Sequence, residues 1–420
     1  MVDLPRNAVL LSFEGPDPYS MVGGLGTRVS ELSLALAEAG VRTTLLFVGD
    51  PARDPVERPL PNLEYRRWCQ WISAHHPGGV YDGEPGKCAD YTASAPRFVA
   101  GEIVAPSAAR GESVLVVAED WQTAPALVAL DRLLRERALR DRAVLVWNAN
   151  NTYGFDGIDW KELAAAAGIT TVSRYMKFEL ALRGVDSLVI PNGIPERLFG
   201  GVPEPLAQAA QTAFRRRPLF VKVARFEAEK RWMAAIEAFA CVRERHREAT
   251  LVVRGGREAY GAEIFDRART LGLDVEDVVL ASRDPETAIH ALARARGAIV
   301  NVRSFVPEAA LLALYRAADA VLANSGMEPF GLVGLEVMAA GGIAVTGSTG
   351  EDYVQPFDNA IVCDTGDPRE LAAYLSDLTR DTRLAAHIRA AGPATARRYV
   401  WPRVLEMLSR KLAYVRSAAR

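Results

Sequence analysis

Cysteine is scarce in this 420-residue chain: Cys69, Cys88, Cys241 and Cys363 leave no C-x-x-C spacing, which excludes zinc-ribbon and thioredoxin-like redox motifs. Histidine occurs five times, at 75, 76, 246, 290 and 387, and never inside a motif, so these residues read as surface or structural. Only six of the fifty basic residues are lysine (Lys87, Lys161, Lys177, Lys222, Lys230 and Lys411). The arginine excess reads as compositional bias and makes each lysine more informative. No sign of charge dominates: 50 Lys+Arg face 52 Asp+Glu, a formal charge of -2. A nucleic-acid binder working through bulk positive charge is therefore disfavoured. No apolar run reaches the ~18 residues of a membrane span, and no amphipathic polybasic helix points to a lipid acceptor, although Arg132–Arg142 is arginine-rich. The opening MVDLPRNAVLLSFEG puts an acid before a short apolar run and has no cleavage site. The expectation is no secretory leader and a cytoplasmic location.

What is present is ordinary globular composition, 49% apolar and 24% charged, in a chain long enough for two or three domains at ~100–200 residues each. An apolar β run, 8–13, is followed by a loop with Gly23-Gly24-Leu25-Gly26, a helix pattern over 27–39 and a strand over 43–48. Residues 55–110 break the rhythm and read as an insertion with loops, its Trp68 and Trp71 candidates to cover an acceptor. Alternation resumes with strands at 113–118, 143–147, 169–172 and 187–190 and a helix at 124–140. A second series places strands at 219–224, 250–253, 278–281, 298–302, 320–323 and 343–345, with helices at 232–245, 258–270, 286–295, 308–316 and 332–340. Short strands alternating with ~10–15-residue helices predict parallel doubly wound sheets. The domain expectation is a first Rossmann-like lobe over 1–195, a linker over 196–217 with the solvated triplet Arg215-Arg216-Arg217, a second lobe over 218–395, and a C-terminal helical segment over 396–420. Two such lobes can turn the carboxyl ends of their strands toward a deep inter-domain cleft.

Three motifs could carry chemistry. Glu328-Pro329-Phe330-Gly331-Leu332-Val333-Gly334-Leu335-Glu336 follows a strand and opens a helix. Gly331, Leu332 and Val333 would present backbone N–H groups to a phosphate, and Glu328 and Glu336 could accept hydroxyl hydrogen bonds. The bland alternative is a capping acid and an exposed helix glutamate. Arg225 and Lys230, five apart after a strand, could close on a diphosphate as fork and point charge, or be a solvated loop. The Gly23–Gly26 loop lets backbone approach a ligand. It is no dinucleotide fingerprint, since Val29 stands where G-x-G-x-x-G needs glycine. Asp120, Trp121, Asn150, Asn151 and Tyr153 lie at strand carboxyl ends, where aromatic faces pack on sugar rings or serve the core.

Together these residues resemble the two-lobed GT-B glycosyltransferases, most closely family 4. The Glu328-x7-Glu336 element is the most specific match, supported by Arg225 and Lys230, by the run SLVIPNGI over 187–194, by Ala317-Ala318-Asp319, by the Gly341-Gly342 turn, and by Trp401 and Tyr414 near the end. The resemblance implies a retaining hexosyltransferase that uses a nucleoside-diphosphate sugar, UDP-glucose by default, with no further cofactor and no metal. Arg225, Lys230 and Glu328 would carry catalysis. The donor would be held by Gly23, Gly24, Leu25, Gly26, Arg225, Lys230, Arg254, Gly255, Arg303, Phe305, Glu328, Pro329, Phe330, Gly331, Leu332, Val333 and Glu336. The first lobe, through Asp120, Trp121, Asn150, Asn151 and Tyr153, would take a small-molecule or saccharide acceptor. Two departures stand out: Glu119 and Asn148–Thr152 occupy places where many relatives carry histidine. A nucleotide-sugar epimerase or hydrolase, or a non-catalytic sugar-nucleotide binder, is the alternative.

Overall fold

The computed structural model describes residues 4–200, 202–214 and 218–418. It divides into two units, one of residues 1–195 and 400–420, the other of 196–399.

The first unit is built on an eight-stranded sheet: β1 (Asn7–Leu11), β2 (Arg42–Val48), β3 (Val56–Leu60), β4 (Leu63–Trp68), β5 (Val114–Glu119), β6 (Ala143–Ala149), β7 (Gly168–Thr171) and β8 (Leu188–Val189), ordered β3-β4-β2-β1-β5-β6-β7-β8. Only β3 runs antiparallel, against β4. β1 and β5 are fully buried, and apart from Asn7 at the start of one and Glu119 at the end of the other they are runs of Val, Leu and Ala, as a sheet covered on both faces demands. The helix Gly24–Glu38 turns Val29, Leu32 and Leu36 onto Leu10, Leu45 and Phe47, and the helix Trp401–Ala418 adds Val404, Leu405, Leu408 and Leu412 to the same core. Each such side chain contributes ~1.5–3 kcal/mol when fully buried.

Residues 55–110 are not a loop-rich insertion. They supply β3 and β4 at the sheet edge and a helix, Glu84–Phe98. Pro85 sits in that helix's first turn, where a missing N–H is tolerated, whereas Pro96 lies inside a helical run that continues through the π-helical turn Val99–Val104 and the helix Ala105–Ala109. Those prolines masked the helix in the sequence. Its Tyr91 is fully buried and donates to the Leu46 carbonyl.

The second unit holds a seven-stranded, wholly parallel sheet: β9 (Leu219–Val223), β10 (Thr250–Arg254), β11 (Val275–Val278), β12 (Ile299–Val302), β13 (Ala320–Ala323), β14 (Ala344–Thr346) and β15 (Ile361–Val362), ordered β11-β12-β10-β9-β13-β14-β15. The strand expected at 278–281 lies earlier, because Val275 pairs with Ile299 and the apolar run beyond it, including Val279, overhangs the sheet edge in solvent. The segment expected as a linker contains a helix, Glu204–Phe214, that buries Leu206, Ala207, Ala210 and Phe214 against the helices Pro285–Arg294 and Glu308–Ala317. That spacing is one helical face. The Arg215–Arg217 triplet lies outside the described residues.

Both sheets have a point where the chain, having wound one way from a central strand, starts again on its other side: β1/β5 in the first unit, β9/β13 in the second. The carboxyl ends flanking such a point are where open α/β sheets bind ligands. The two strongest motif groups fall there, after β9 and β13 and after β1 and β5.

Candidate active site

In the second unit, the loop leaving β9 carries Arg225 and Lys230, and the loop leaving β13 carries Glu328. Lys230 Nζ lies 2.7 Å from Glu328 Oε2, both side chains about four-fifths buried. Arg225, more exposed, pairs with Glu227 at 2.7 Å. The two loops are also joined through backbone, the Gly326 N–H donating 2.7 Å to the Glu229 carbonyl. The predicted diphosphate cations thus already hold carboxylates.

Gly331 precedes the helix Leu332–Ala339 with φ +82°, the left-handed region that favours glycine. A Cβ there would lie 2.7 Å from Glu351 Cγ. No side chain caps this helix among the described residues, so its first N–H groups point outward with the positive end of the helix dipole. Leu332, Val333 and Glu336 are half-buried along it. Phe330 is buried against Tyr353 and Tyr399, with ring centroids 5.8 and 6.1 Å away.

The support for this motif comes from 349–353. Thr349 Oγ1 accepts from the Glu328 N–H at 2.8 Å and donates to the Glu328 carbonyl. The Tyr353 hydroxyl donates to the Gly331 carbonyl. Glu351 is buried, its carboxyl pushed up to about 8 by burial and then by the charge of Glu328. Its Oε1 makes no hydrogen bond among the described residues. These residues were missed in the sequence, where only the small, turn-forming Gly347–Gly350 run marked the place.

The base-side candidates are spread wider. Gly255 lies against the Phe226 ring, and Glu258 Oε2 accepts from both the Phe226 and Gly256 N–H groups. Burial pushes the Tyr315 hydroxyl well up, with the charge of Glu336 adding to the rise and that of Arg254 opposing it. Arg303 pairs with Asp277 of β11 at 3.0 Å, and Phe305 is 63% exposed. They stand at the end of β12, away from the β9/β13 point.

In the first unit the β1/β5 point is a closed network of acids. Gly23 starts the helix Gly24–Glu38, so Gly24, Leu25 and Gly26 are its first turn rather than a free loop. The N–H groups of Val22, Gly23 and Gly26 all donate to Glu14 Oε2, at 3.2, 3.1 and 2.9 Å. Glu14 Oε1 accepts from the Tyr81 hydroxyl at 2.6 Å. Beside it, Arg28 donates through Nε to both oxygens of Glu119, and through Nη1 to Asn192. Asn148 and Asn150 also donate to Glu119. Glu119 and Asn148, standing where histidines were expected, are thus bonded to each other.

Asp120 is fully buried, with φ +61° and ψ 176°, a strained conformation outside glycine. Its carbonyl accepts from Trp147 Nε1, its N–H donates to Asn148, and its carboxylate accepts from the Asn150 N–H at 2.7 Å and from Asn151 Nδ2 at 2.7 Å. Burial, with the charges of Glu119 and Glu14 adding to it, lifts this carboxyl to about 7 despite those hydrogen bonds. The five residues expected to meet an acceptor are therefore together, yet Asp120, Asn150 and Asn151 spend their hydrogen bonds on one another. Trp121 lies against Gly154, whose φ of +68° turns the chain over the indole. Tyr153 is 65% exposed.

The chain resembles known proteins as follows. Residues 206–395 match the family described as glycosyl transferases group 1. A D-inositol 3-phosphate glycosyltransferase of Xylanimonas cellulosilytica is 25% identical over 405 residues, covering 90% of this chain and 88% of the relative. One from Salinispora arenicola is 35% identical over 129 residues, a match spanning 30% of this chain and 29% of that relative. Among solved structures, sucrose-phosphate synthase from Thermosynechococcus elongatus superposes with a TM-score of 0.69 at 19% identity, over 98% of this chain and 100% of that one. Anabaena Alr3699/HepE in complex with UDP-glucose gives 0.63 at 17%, over 97% and 99%. No described helix is long and apolar enough to cross a membrane.

Proposed function

We propose that the chain is a glycosyltransferase, on the strength of its two-unit fold and the glycosyl transferases group 1 match over 206–395, and that its second unit binds a nucleoside-diphosphate hexose, UDP-glucose by default. The hexose then passes, with retention, to a hydroxyl of a small or saccharide acceptor held by the first unit. The observation that carries this is the uncapped helix start at Leu332 flanked by the Lys230–Glu328 pair. An arriving pyrophosphate takes the helix N–H groups and Lys230, which frees Glu328 to accept donor-sugar hydroxyls. Arg225 swings from Glu227 to a phosphate oxygen. Glu336, deeper in the helix, holds the ribose hydroxyls.

In the reaction the bond from the anomeric carbon to the phosphate oxygen breaks as the acceptor oxygen bonds to the same face of that carbon. The acceptor proton goes to the departing phosphate oxygen. Lys230, Arg225 and the helix start meet the charge that grows on the leaving group, and Glu328 orients the ring. These side chains do this without a metal.

The first unit supports a neutral, hydroxyl-rich acceptor. Three buried acids, Glu14, Glu119 and Asp120, stand at its switch point, and the cation among them, Arg28, is spent on Glu119 and Asn192. With Glu119 answered by Arg28 and Asp120 partly protonated, a phosphorylated acceptor would meet the charge of Glu14 there and no uncommitted cation from Arg28. The name of the full-length relative, by contrast, includes inositol 3-phosphate. Incubation of the protein with UDP-glucose and a panel of sugars, polyols and their phosphates, reading UDP release and the anomeric configuration of the product, tests the reading. Transfer to a neutral acceptor with an α-linked product is expected. An inverted product, or transfer confined to phosphorylated acceptors, contradicts it.

A further inference from the structure

Lys222 is one of six lysines in an arginine-rich chain. It lies in β9, the central strand of the second unit, with 1% of its surface exposed. A buried ammonium is costly unless something holds it. Nζ donates 2.7 Å to Asn324 Oδ1 and 3.2 Å to the Leu322 carbonyl, and lies 5.0 Å from the centre of the Trp232 ring. Each contact leads to a donor-site loop. Asn324 begins the loop that carries Glu328. Trp232 Nε1 donates 2.7 Å to the Arg225 carbonyl, in the loop that carries Arg225 and Lys230. Lys222 is thus the joint beneath both.

None of the three contacts that hold Lys222 is a carboxylate. The charged and titratable groups that face it are Lys230 and Arg231, from the loop after β9, which oppose its charge, and Glu328 and Cys363, from the loops after β13 and β15, whose ionised forms favour it. Burial outweighs them and brings the ammonium down to about 7. In the free protein Glu328 is already neutralised by Lys230.

We propose that Lys222 is a positioning residue of the donor site: it ties the two loops together from below and takes up a proton when a pyrophosphate binds above it. The substrate's charge is then met by a third cation that never touches it. This rests on the donor-site reading given above.

The test is titration calorimetry of the full chain with UDP-glucose, ADP-glucose and GDP-mannose, whose pyrophosphate diesters hold no titrating proton from pH 6.5 to 8.5. Two buffers of different ionisation heat count the protons bound. Wild type is expected to take up part of a proton at pH 7.5, and its Kd to rise by up to about tenfold per pH unit above 7. In Lys222→Met the uptake vanishes and Kd becomes flat with pH, whereas a merely structural defect would weaken binding equally at every pH. Glu351→Gln separates the other buried titrating group of the site and is expected to retain the uptake. No uptake by wild type overturns the proposal without any variant and leaves the donor site standing. Uptake that survives Lys222→Met, or that vanishes in Glu351→Gln, also overturns it. If Lys222→Met does not fold, the wild-type count and Glu351→Gln decide. Wild type that binds none of the three contradicts the donor-site reading, and this proposal falls with it.

Discussion

The two switch points of this protein handle charge in opposite ways. At β1/β5 every carboxylate is answered from within: Glu14 by three backbone N–H groups, Glu119 by Arg28 and two asparagines, Asp120 by Asn150 and Asn151. At β9/β13 the pairs are local and exchangeable. Lys230 holds Glu328, Arg225 holds Glu227, the helix start is uncapped, and Glu351 keeps an unanswered oxygen. The first arrangement fixes a surface. On the proposed reading the second receives an anion, so the same fold element, the carboxyl end of a central parallel strand, is scaffold in one unit and binding machinery in the other.

The contrast is broken most sharply by truncating one cation on each side. Arg28→Ala leaves Glu119 buried and unpaired, and is expected to destabilise the protein by ~3–5 kcal/mol, read as a fall in denaturant midpoint. Lys230→Ala leaves Glu328 about four-fifths buried without its partner and is expected to move that midpoint less than Arg28→Ala does, by ~1–3 kcal/mol. It should also cut turnover on the order of 100-fold, the usual loss when a group facing transition-state charge is removed. If Arg28→Ala is mild, or Lys230→Ala unfolds the protein while sparing turnover, the division between scaffold and machinery is wrong.

Glu336→Ala comes next, with an expected rise in donor Kd of ~10-fold from lost charge-assisted hydrogen bonds and an unaltered melting temperature. A smaller effect sharpens the first unit. The Asp120 carboxyl, held at about 7 in the fold against ~3.9 when unfolded, binds more protons folded than unfolded. Its contribution to stability is therefore complete below pH ~4 and is lost as pH rises toward 7. Wild type should lose melting temperature between pH 4 and 8 relative to Asp120→Asn, which has no carboxyl to ionise. Parallel pH profiles of the two proteins would show that Asp120 is not held protonated. The smallest effect belongs to Arg303→Ala: its pair with Asp277 is exposed, and a change in donor KM below about threefold is expected.

This contrast also governs what the sequence could show. The proposed second-unit site is largely written in two short stretches, 225–230 and 328–336, so spacing and the family resemblance together could point to it. The Thr349–Tyr353 support was invisible, because its role is to brace backbone 20 residues upstream. Lys222 stood out as one of six lysines, but its place in the strand run 219–224 gave no sign of what it touches. In the first unit, Glu14, Arg28, Glu119, Asn148, Asn150 and Asn192 meet only once the sheet brings β1, β5 and β6 side by side, and no local pattern signals such a network. The asparagines after β6 were noticed as departures, but only their pairing with Glu119 and Asp120 explains them. The helix Glu84–Phe98 was hidden by its prolines: Pro85 stands in the first turn, where helices accept it, but Pro96 stands inside, where local sequence argues against a helix.

The donor site is tested by a crystal structure with UDP-glucose bound. The pyrophosphate is expected at the start of the helix Leu332–Ala339, with Lys230 moved from Glu328 onto a phosphate oxygen and Glu328 turned to the glucose hydroxyls. A nucleotide bound elsewhere, or a Lys230–Glu328 pair left intact beneath it, would overturn the proposed donor site.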